Sequence, residues 1–405
     1  MTASVERIWQ EKCHDIRVLW LCMAHPGGRM AGSSTYSAGL LQAAAAAGAR
    51  ITLITYGAGN QLPEIDMQTV PLANRPRWRS LTSVLPGSAW ALATADAKGR
   101  IEEQLAGKEW DAVVVDHAAM GWALPLVKGA GVPLVYFSHN HEASVRPGIA
   151  RAGRPLWKQP LLRFDAAKFA RLENALVNEA ELVTAITETD AALYRQQKPG
   201  SGAVLTLTPG YSAAMSQPPA ITQATPRQVM LLGRYDWVAK QENLTRWAAE
   251  GVPVLQAAGI ETTVIGHVPQ ALQARLAGPG LRFLGKQADL TESLPQGRIG
   301  LVAEALGGGF KMKTLDYIFH GLPVAALPGG LVGLPDGVVQ NALEAPAPKA
   351  LAEAISAVID DLPKLQQMQQ DALTAAREVF DWETRGKQLV SAIKEACLHN
   401  GVGSR

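Results

Sequence analysis

Short continuous apolar runs punctuate the first half of the chain, each ending in a turn rich in glycine or polar residues. Arg17–Met23 (RVLWLCM), Arg50–Tyr56 (RITLITY), Asp111–Asp116 (DAVVVD), Pro133–Ser138 (PLVYFS) and Glu181–Thr187 (ELVTAIT) show no alternation of apolar and polar positions. Runs of this kind predict strands buried on both faces, as in a parallel sheet covered by helices. Between the first two, an Ala- and Leu-rich stretch from about Thr35 to Ala47 stops at Gly48 and predicts a helix. Strand, helix and strand in this order form a βαβ unit, with a right-handed crossover expected.

The texture changes between Gln197 and Gln228, where KPGSG, LTPGYS, SQPP and ITQATPRQ are rich in Pro, Gly and Ser. This is the linker candidate, with 209–228 as its span and AVLTLTPG as a last strand before it. A second alternation opens at Val229–Arg234 (VMLLGR). A helix over Asn243–Ala257 follows, then strands at Thr262–Gly266, Leu281–Gly285 and Ile299–Glu304. A glycine-rich turn, a helix beginning near Lys311 and a strand over Leu322–Leu327 come next. The last stretch is helical in pattern, with a break near Phe380–Trp382. The expected architecture is therefore α/β, with two Rossmann-like domains in series: 1–208, and 229–379 after the linker.

Length and composition agree with two domains. The chain has 405 residues, 47% of them hydrophobic and 18% charged, enough to bury sizeable cores. A net charge of +2 lacks the strongly basic balance usual in a dedicated nucleic-acid binder. Three cysteines without a CxxC pair suggest neither a disulfide framework nor a zinc site, and point to a reducing cytosol. No run approaches the ~20 apolar residues of a spanning helix, and the start MTASVERIWQEKCHD has mixed charges where a secretory signal would be basic and then apolar.

The strongest chemical signal is Leu306–Gly330, LGGGFKMKTLDYIFHGLPVAALPGG. Gly307, Gly308 and Gly309 put bare backbone at the carboxyl end of a strand, where ligands of open α/β sheets bind. Their N–H groups, with the start of the following helix, suit a diphosphate. Lys311 and Lys313 stand where a cation opposes the helix dipole, a placement that makes sense beside an anion. Asp316, one turn beyond Lys313, can accept hydrogen bonds from two vicinal hydroxyls. A packing turn with solvated lysines is the competing reading. In LLGRYDWVAKQEN, Arg234 ends a strand and Lys240 opens a helix, so both can converge on the same anion.

The first half offers a second glycine-bearing loop, His25–Ser34, where Gly32 and Ser33 can bring backbone close to a bridging ligand. Its spacing is not GxGxxG. His139, in FSHNHE just past a strand, is placed as a donor or acceptor toward a polar ligand. There is no Asp-X-Asp triplet, HExxH or GxSxG, so no metal ligand set and no nucleophile elbow can be proposed. Basic and aromatic residues interleave in Arg75–Ser80 and Arg151–Arg171, with Trp78, Trp157, Phe164 and Phe169. That composition suits contact with anionic lipid and equally suits a helix packed on its own domain.

These residues together carry a resemblance. The chain resembles the GT-B glycosyltransferases, and within them the retaining, family 4-like, group 1 class of bacterial capsule, exopolysaccharide and lipopolysaccharide transferases. GRYDWVAKQENL, EALGGGFKMKTLDYIFHGLPVAAL and the final DWETRGKQLVSAI carry it. The resemblance implies two domains facing a cleft, with the last helix, 380–405, returning to the first domain. It implies a nucleoside-diphosphate sugar as co-substrate, no cofactor and no metal, and a hydroxyl acceptor, which the basic, aromatic surface of the first domain would suit if it is lipid-linked. Arg234 and Lys240 match the cations on the donor diphosphate and Lys313 adds to them. Gly307, Gly308, Gly309 and Phe310 match the donor loop, and Asp316 stands where a ribose-chelating Glu is usual. His139 matches the histidine that contacts the donor sugar, and Gly32–Ser33 the glycines beneath donor and acceptor. Two departures stand out: Gly308 occupies the first position of the common Glu pair, and the Arg-to-Lys spacing is one residue longer. A nucleotide-sugar epimerase and a non-catalytic nucleotide-sugar-binding partner are the alternatives.

Overall fold

A computed structural model describes residues 15–402 apart from 28–31, 153–155, 199–201, 213–214, 216, 237, 288 and 305–308. The apolar runs are strands: β1 Ile16–Cys22, β2 Ala49–Tyr56, β3 Asp66–Val70, β4 Ala112–Asp116, β5 Leu134–Phe137, β6 Leu182–Ala185 and β7 Ala203–Thr206. They form one parallel sheet in the order β3-β2-β1-β4-β5-β6-β7. A second parallel sheet holds β8 Gln228–Leu232, β9 Glu261–Ile265, β10 Leu281–Gly285, β11 Ile299–Val302, β12 Val324–Ala326 and β13 Leu343–Glu344, ordered β10-β9-β8-β11-β12-β13. Both sheets are doubly wound, and each reverses direction beside its first strand. Crevices therefore open at the carboxyl ends of β1 and β4, and of β8 and β11.

Each sheet is covered on both faces by apolar clusters. In the first domain Leu19, Leu21, Val113 and Val115 face one way, and Val18, Trp20, Ala112 and Val114 the other. Four adjacent positions on two strands are thus split between two cores, which is why those strands read as unbroken apolar runs. The second domain repeats the plan around Val229 and Leu231 on one face and Met230 and Leu232 on the other.

The final helix, Trp382–Val402, packs on the first domain, where Leu389, Val390, Ile393 and Ala396 join the core beside the helix Gly32–Ala46. Two glycines allow the close approach. A Cβ on Gly39 would meet the Trp382 ring at 2.2 Å, and one on Gly386 would meet the Ala43 carbonyl oxygen at 2.1 Å. The two chain crossings between the lobes lie side by side, with the Tyr211 N–H donating to the Phe380 carbonyl at 3.1 Å.

Several elements differ from the sequence expectation. The helix expected over Asn243–Ala257 is two, Val238–Glu250 and Val252–Ala257. Pro253 lacks an N–H and restarts the helix after Gly251. The helix expected near Lys311 is Lys313–Phe319, because a tight turn with Thr314 N donating to the Lys311 carbonyl at 2.8 Å precedes it. Strand β3 escapes the apolar-run pattern: it is a sheet edge, largely open to solvent, with the mixed sequence DMQTV. Of the aromatic residues expected on a lipid-facing surface, Phe169 is fully buried, with the Arg146 guanidinium over its ring at 3.7 Å.

Candidate active site

The carboxyl ends of β8 and β11 gather the second domain's charges. Arg234 follows β8 by two residues, and its guanidinium pairs with Asp236 at 2.6 Å. Lys240 lies in the first turn of the helix Val238–Glu250, one turn from the buried Asn243. Glu304, two residues past β11, accepts from Lys313 Nζ at 2.7 Å, with both side chains about nine-tenths buried. Lys311 Nζ donates to the Gly309 carbonyl at 3.2 Å.

These groups feel one another's charge. Burial lowers the pKa of Lys240, and the Lys313 charge lowers it further, while Glu304 partly offsets both. Lys311 is lowered by burial, again with Glu304 opposing. Burial pushes Glu304 up, but the lysines, Lys313 first, more than offset it and hold its carboxyl below the usual range. Four cations against two carboxylates leave this end of the cleft net positive, a setting that suits an anion.

Asp316 sits one turn into the short helix Lys313–Phe319 and accepts a hydrogen bond from the Tyr211 hydroxyl at 2.8 Å. Tyr211 comes from the interdomain crossing and stacks on Phe319, with ring centroids 4.6 Å apart. Burial raises the Asp316 pKa to about 6 in spite of the Tyr211 hydrogen bond and the Lys313 charge.

On the opposite wall His139 follows β5 and is buried. Its Nε2 lies 2.6 Å from Asp116 Oδ1, and the indole of Trp20 donates to the other Asp116 oxygen at 2.9 Å. Burial would push Asp116 up, yet its pKa is lowered by the His139 charge and by hydrogen bonds from His139 and Trp20. His139 Nδ1 is buried without a hydrogen-bond partner among the described residues. The loop carrying His139 is fixed from below by Glu173, fully buried, which accepts from the Glu142 and Ala143 amides at 3.0 and 2.9 Å and from the Tyr194 hydroxyl at 2.7 Å.

The two walls meet at the glycine turn. Gly309 has φ +72°, and a Cβ there would lie 2.1 Å from Asn140 Oδ1. Only glycine fits this approach and this backbone conformation. Gly32, at the start of its helix, faces the same gap, since a Cβ would meet Met312 Cγ at 3.3 Å. Ser33 beside it is exposed.

The structure thus brings Arg234, Lys240, Lys313, Asp316 and Gly309 to one lobe and His139, Gly32 and Ser33 to the other. Gly307 and Gly308 lie outside the described residues. The half-buried Phe310 ring lies 5.6 Å from the Phe380 ring between centroids and packs against core residues of both lobes. Asp116 and Tyr211 were not among the sequence candidates. Asp116 had a signal, a carboxylate closing an otherwise apolar central strand. Tyr211 had none, because its partner is 105 positions away.

Comparison with known proteins identifies the family and the fold. Residues 31–210 match the family described as glycosyl transferase 4-like domain, and residues 226–361 match glycosyl transferases group 1. No curated protein sequence matches the chain. Among solved structures, sucrose-phosphate synthase from Thermosynechococcus elongatus is similar with TM-score 0.69 at 17% identity, covering 95% of this chain and 100% of that one. HepE of Anabaena, in complex with UDP-glucose, gives TM-score 0.59 at 16% identity, with coverage of 94% and 100%. The lipopolysaccharide outer core galactosyltransferase WaaB gives 0.57 at 13%, with coverage of 94% and 99%. Two family matches in series over most of the chain, two doubly wound sheets and a last helix returned to the first lobe lead to one conclusion: the chain belongs to the group 1, family 4 retaining glycosyltransferases of GT-B fold, which transfer a sugar from a nucleotide-sugar donor.

Proposed function

We propose that this enzyme transfers a hexosyl unit from a nucleoside-diphosphate sugar to a hydroxyl acceptor without a metal, in the synthesis of a cell-surface polysaccharide or glycoconjugate. The observation that carries the reading is the meeting of Arg234, Lys240, Lys311 and Lys313 at the carboxyl ends of β8 and β11, across from His139. Breaking the anomeric bond builds negative charge on the departing diphosphate. Cations already fixed in a partly dry site stabilise that charge without reorganising. Asp316 takes the ribose hydroxyls, and His139 Nδ1 accepts from a hydroxyl of the donor sugar, with Asp116 holding the ring. Gly32 and Ser33 bring backbone toward the donor phosphate from the other lobe.

HepE, crystallised with UDP-glucose, makes UDP-hexoses the first donors to test. Thermal shift against UDP-, GDP-, ADP- and dTDP-sugars identifies the donor as the one that raises the melting temperature in proportion to its affinity. Transfer with that donor is expected to continue in excess EDTA. Complete loss on chelation, restored by a divalent ion, would overturn the metal-free account.

Asp316 gives the donor step an acidic limb. Its two oxygens both accept, and accept strongly, only when the group is ionised, and its pKa stands at about 6. Donor affinity is therefore full above that pH and weakens as the pH falls through it. Tyr211→Phe removes a hydrogen bond that favours the charged form, so the limb should move to higher pH. An unmoved limb in that variant would separate Asp316 from donor binding.

The acceptor belongs at a membrane surface in this reading. Trp78 and Trp157 are each 67% exposed, and Leu156, Phe164, Leu161 and Leu81 are exposed near them. Lys168 Nζ donates to the Ser80 carbonyl at 2.7 Å, so the segments Arg77–Thr82 and Gln159–Glu179 form one surface. Arg79, Lys158 and Arg163 supply the charge that anionic headgroups attract. Among the described residues no helix is long and apolar enough to cross a membrane. Sedimentation with phosphatidylglycerol vesicles at low salt should carry the protein down, and Trp78→Ala with Trp157→Ala should weaken it. No sedimentation at low salt ends this part of the reading.

A further inference from the structure

The lysine cluster contains a charge that opposes its task. Glu304 is 7% exposed, yet only one of its oxygens is matched, by Lys313 at 2.7 Å. Oε2 is buried without a hydrogen-bond partner among the described residues. A half-satisfied buried carboxylate is costly, and packing alone would be better served there by an apolar side chain. A carboxylate at this point also repels a diphosphate. Its surroundings show what it balances: Lys313, Lys240 and Lys311 all act on it, and it in turn opposes the lowering of Lys240 and Lys311. Arg234, the fourth cation, has its own partner in Asp236.

We propose that Glu304 is a resident counter-ion that tunes the affinity of the diphosphate seat downward. In the empty site it keeps three neighbouring ammonium groups charged and together. With nucleotide bound it takes back part of the attraction, so that the nucleoside diphosphate left after transfer is released. Glu304 is a positioning residue for the lysines and touches no reacting atom. The inference rests on the cluster being the diphosphate seat.

Binding of UDP, GDP and ADP, and of inorganic pyrophosphate as a probe independent of the base, tests it by calorimetry. Removing one like charge from beside the diphosphate should let Glu304→Gln bind about 10- to 100-fold more tightly. Affinity that is unchanged or weaker in a variant melting at the wild-type temperature overturns the proposal. If Glu304→Gln fails to fold, the pair Lys313→Met and Lys313→Met/Glu304→Met gives the answer. A counter-ion predicts that the double variant binds more tightly than the single one. A residue that merely anchors Lys313 predicts no difference, and that result also overturns the proposal. Should Lys240→Met and Lys313→Met both leave nucleotide binding intact, the seat lies elsewhere and the inference falls with it. If those variants weaken binding while Glu304→Gln does not strengthen it, the seat stands and the inference alone falls.

Discussion

Lys240→Met is expected to slow sugar transfer about 10²–10³-fold, the usual loss when one fixed group facing transition-state charge is removed. The loss should fall mainly on kcat. Charge on the diphosphate grows as the anomeric bond breaks, so the ammonium does more in the transition state than in the bound donor. The fold should not suffer, because burial and the Lys313 charge already work against the charged form of Lys240. Its melting temperature should hold or rise slightly. Arg234→Met should cost less, since its guanidinium is about one-third exposed and shared with Asp236. Steady-state kinetics with saturating acceptor measure both. A kcat within threefold of wild type for Lys240→Met would place the leaving group away from this cluster.

Gly386→Ala is expected to destabilise the protein, against the ordinary rule for helices. In an exposed helix interior the same change gains about 0.8–1 kcal/mol. Here the added methyl would meet the backbone oxygen of Ala43 at 2.1 Å, a contact that no side-chain rotation relieves. The final helix must move away from the helix Gly32–Ala46, and overpacking of this sort costs about 1–3 kcal/mol, occasionally more. Thermal melting should shift down by several degrees, at roughly 2–4 °C per kcal/mol. Limited trypsin digestion should cut sooner after Arg385 and Lys387. A melting temperature equal to or above wild type would show that the helix sits less closely than described.

Buried parallel strands were legible because both their faces are apolar, and the glycine turn because its composition is rare outside ligand loops. Edge elements were not. β3 and the two-residue β13 have too little burial to leave a pattern. The cations Arg234, Lys240 and Lys313 could be named from their places at strand ends and helix starts. Their counter-charges could not, because Glu304 reads as one residue of an apolar strand until Lys313 is seen against it. Asp116 and His139 come together only through the pairing of β4 with β5, which sets Asp116 beside Phe137. Lone glycines such as Gly39 and Gly386 carry no sign in sequence of the large side chain or backbone they admit.

The paired crossings have a mechanical corollary. Trp382 rests on the bare Cα atoms of Gly39 and Gly210, where added methyls would lie 2.2 and 2.5 Å from it. Next to Gly210, Tyr211 is bonded to one crossing and to Asp316 at once. The pivot on which the lobes would swing and the carboxylate assigned to the ribose are thus one hydrogen bond apart. A hinge motion at these crossings would therefore also move the phenol that holds Asp316.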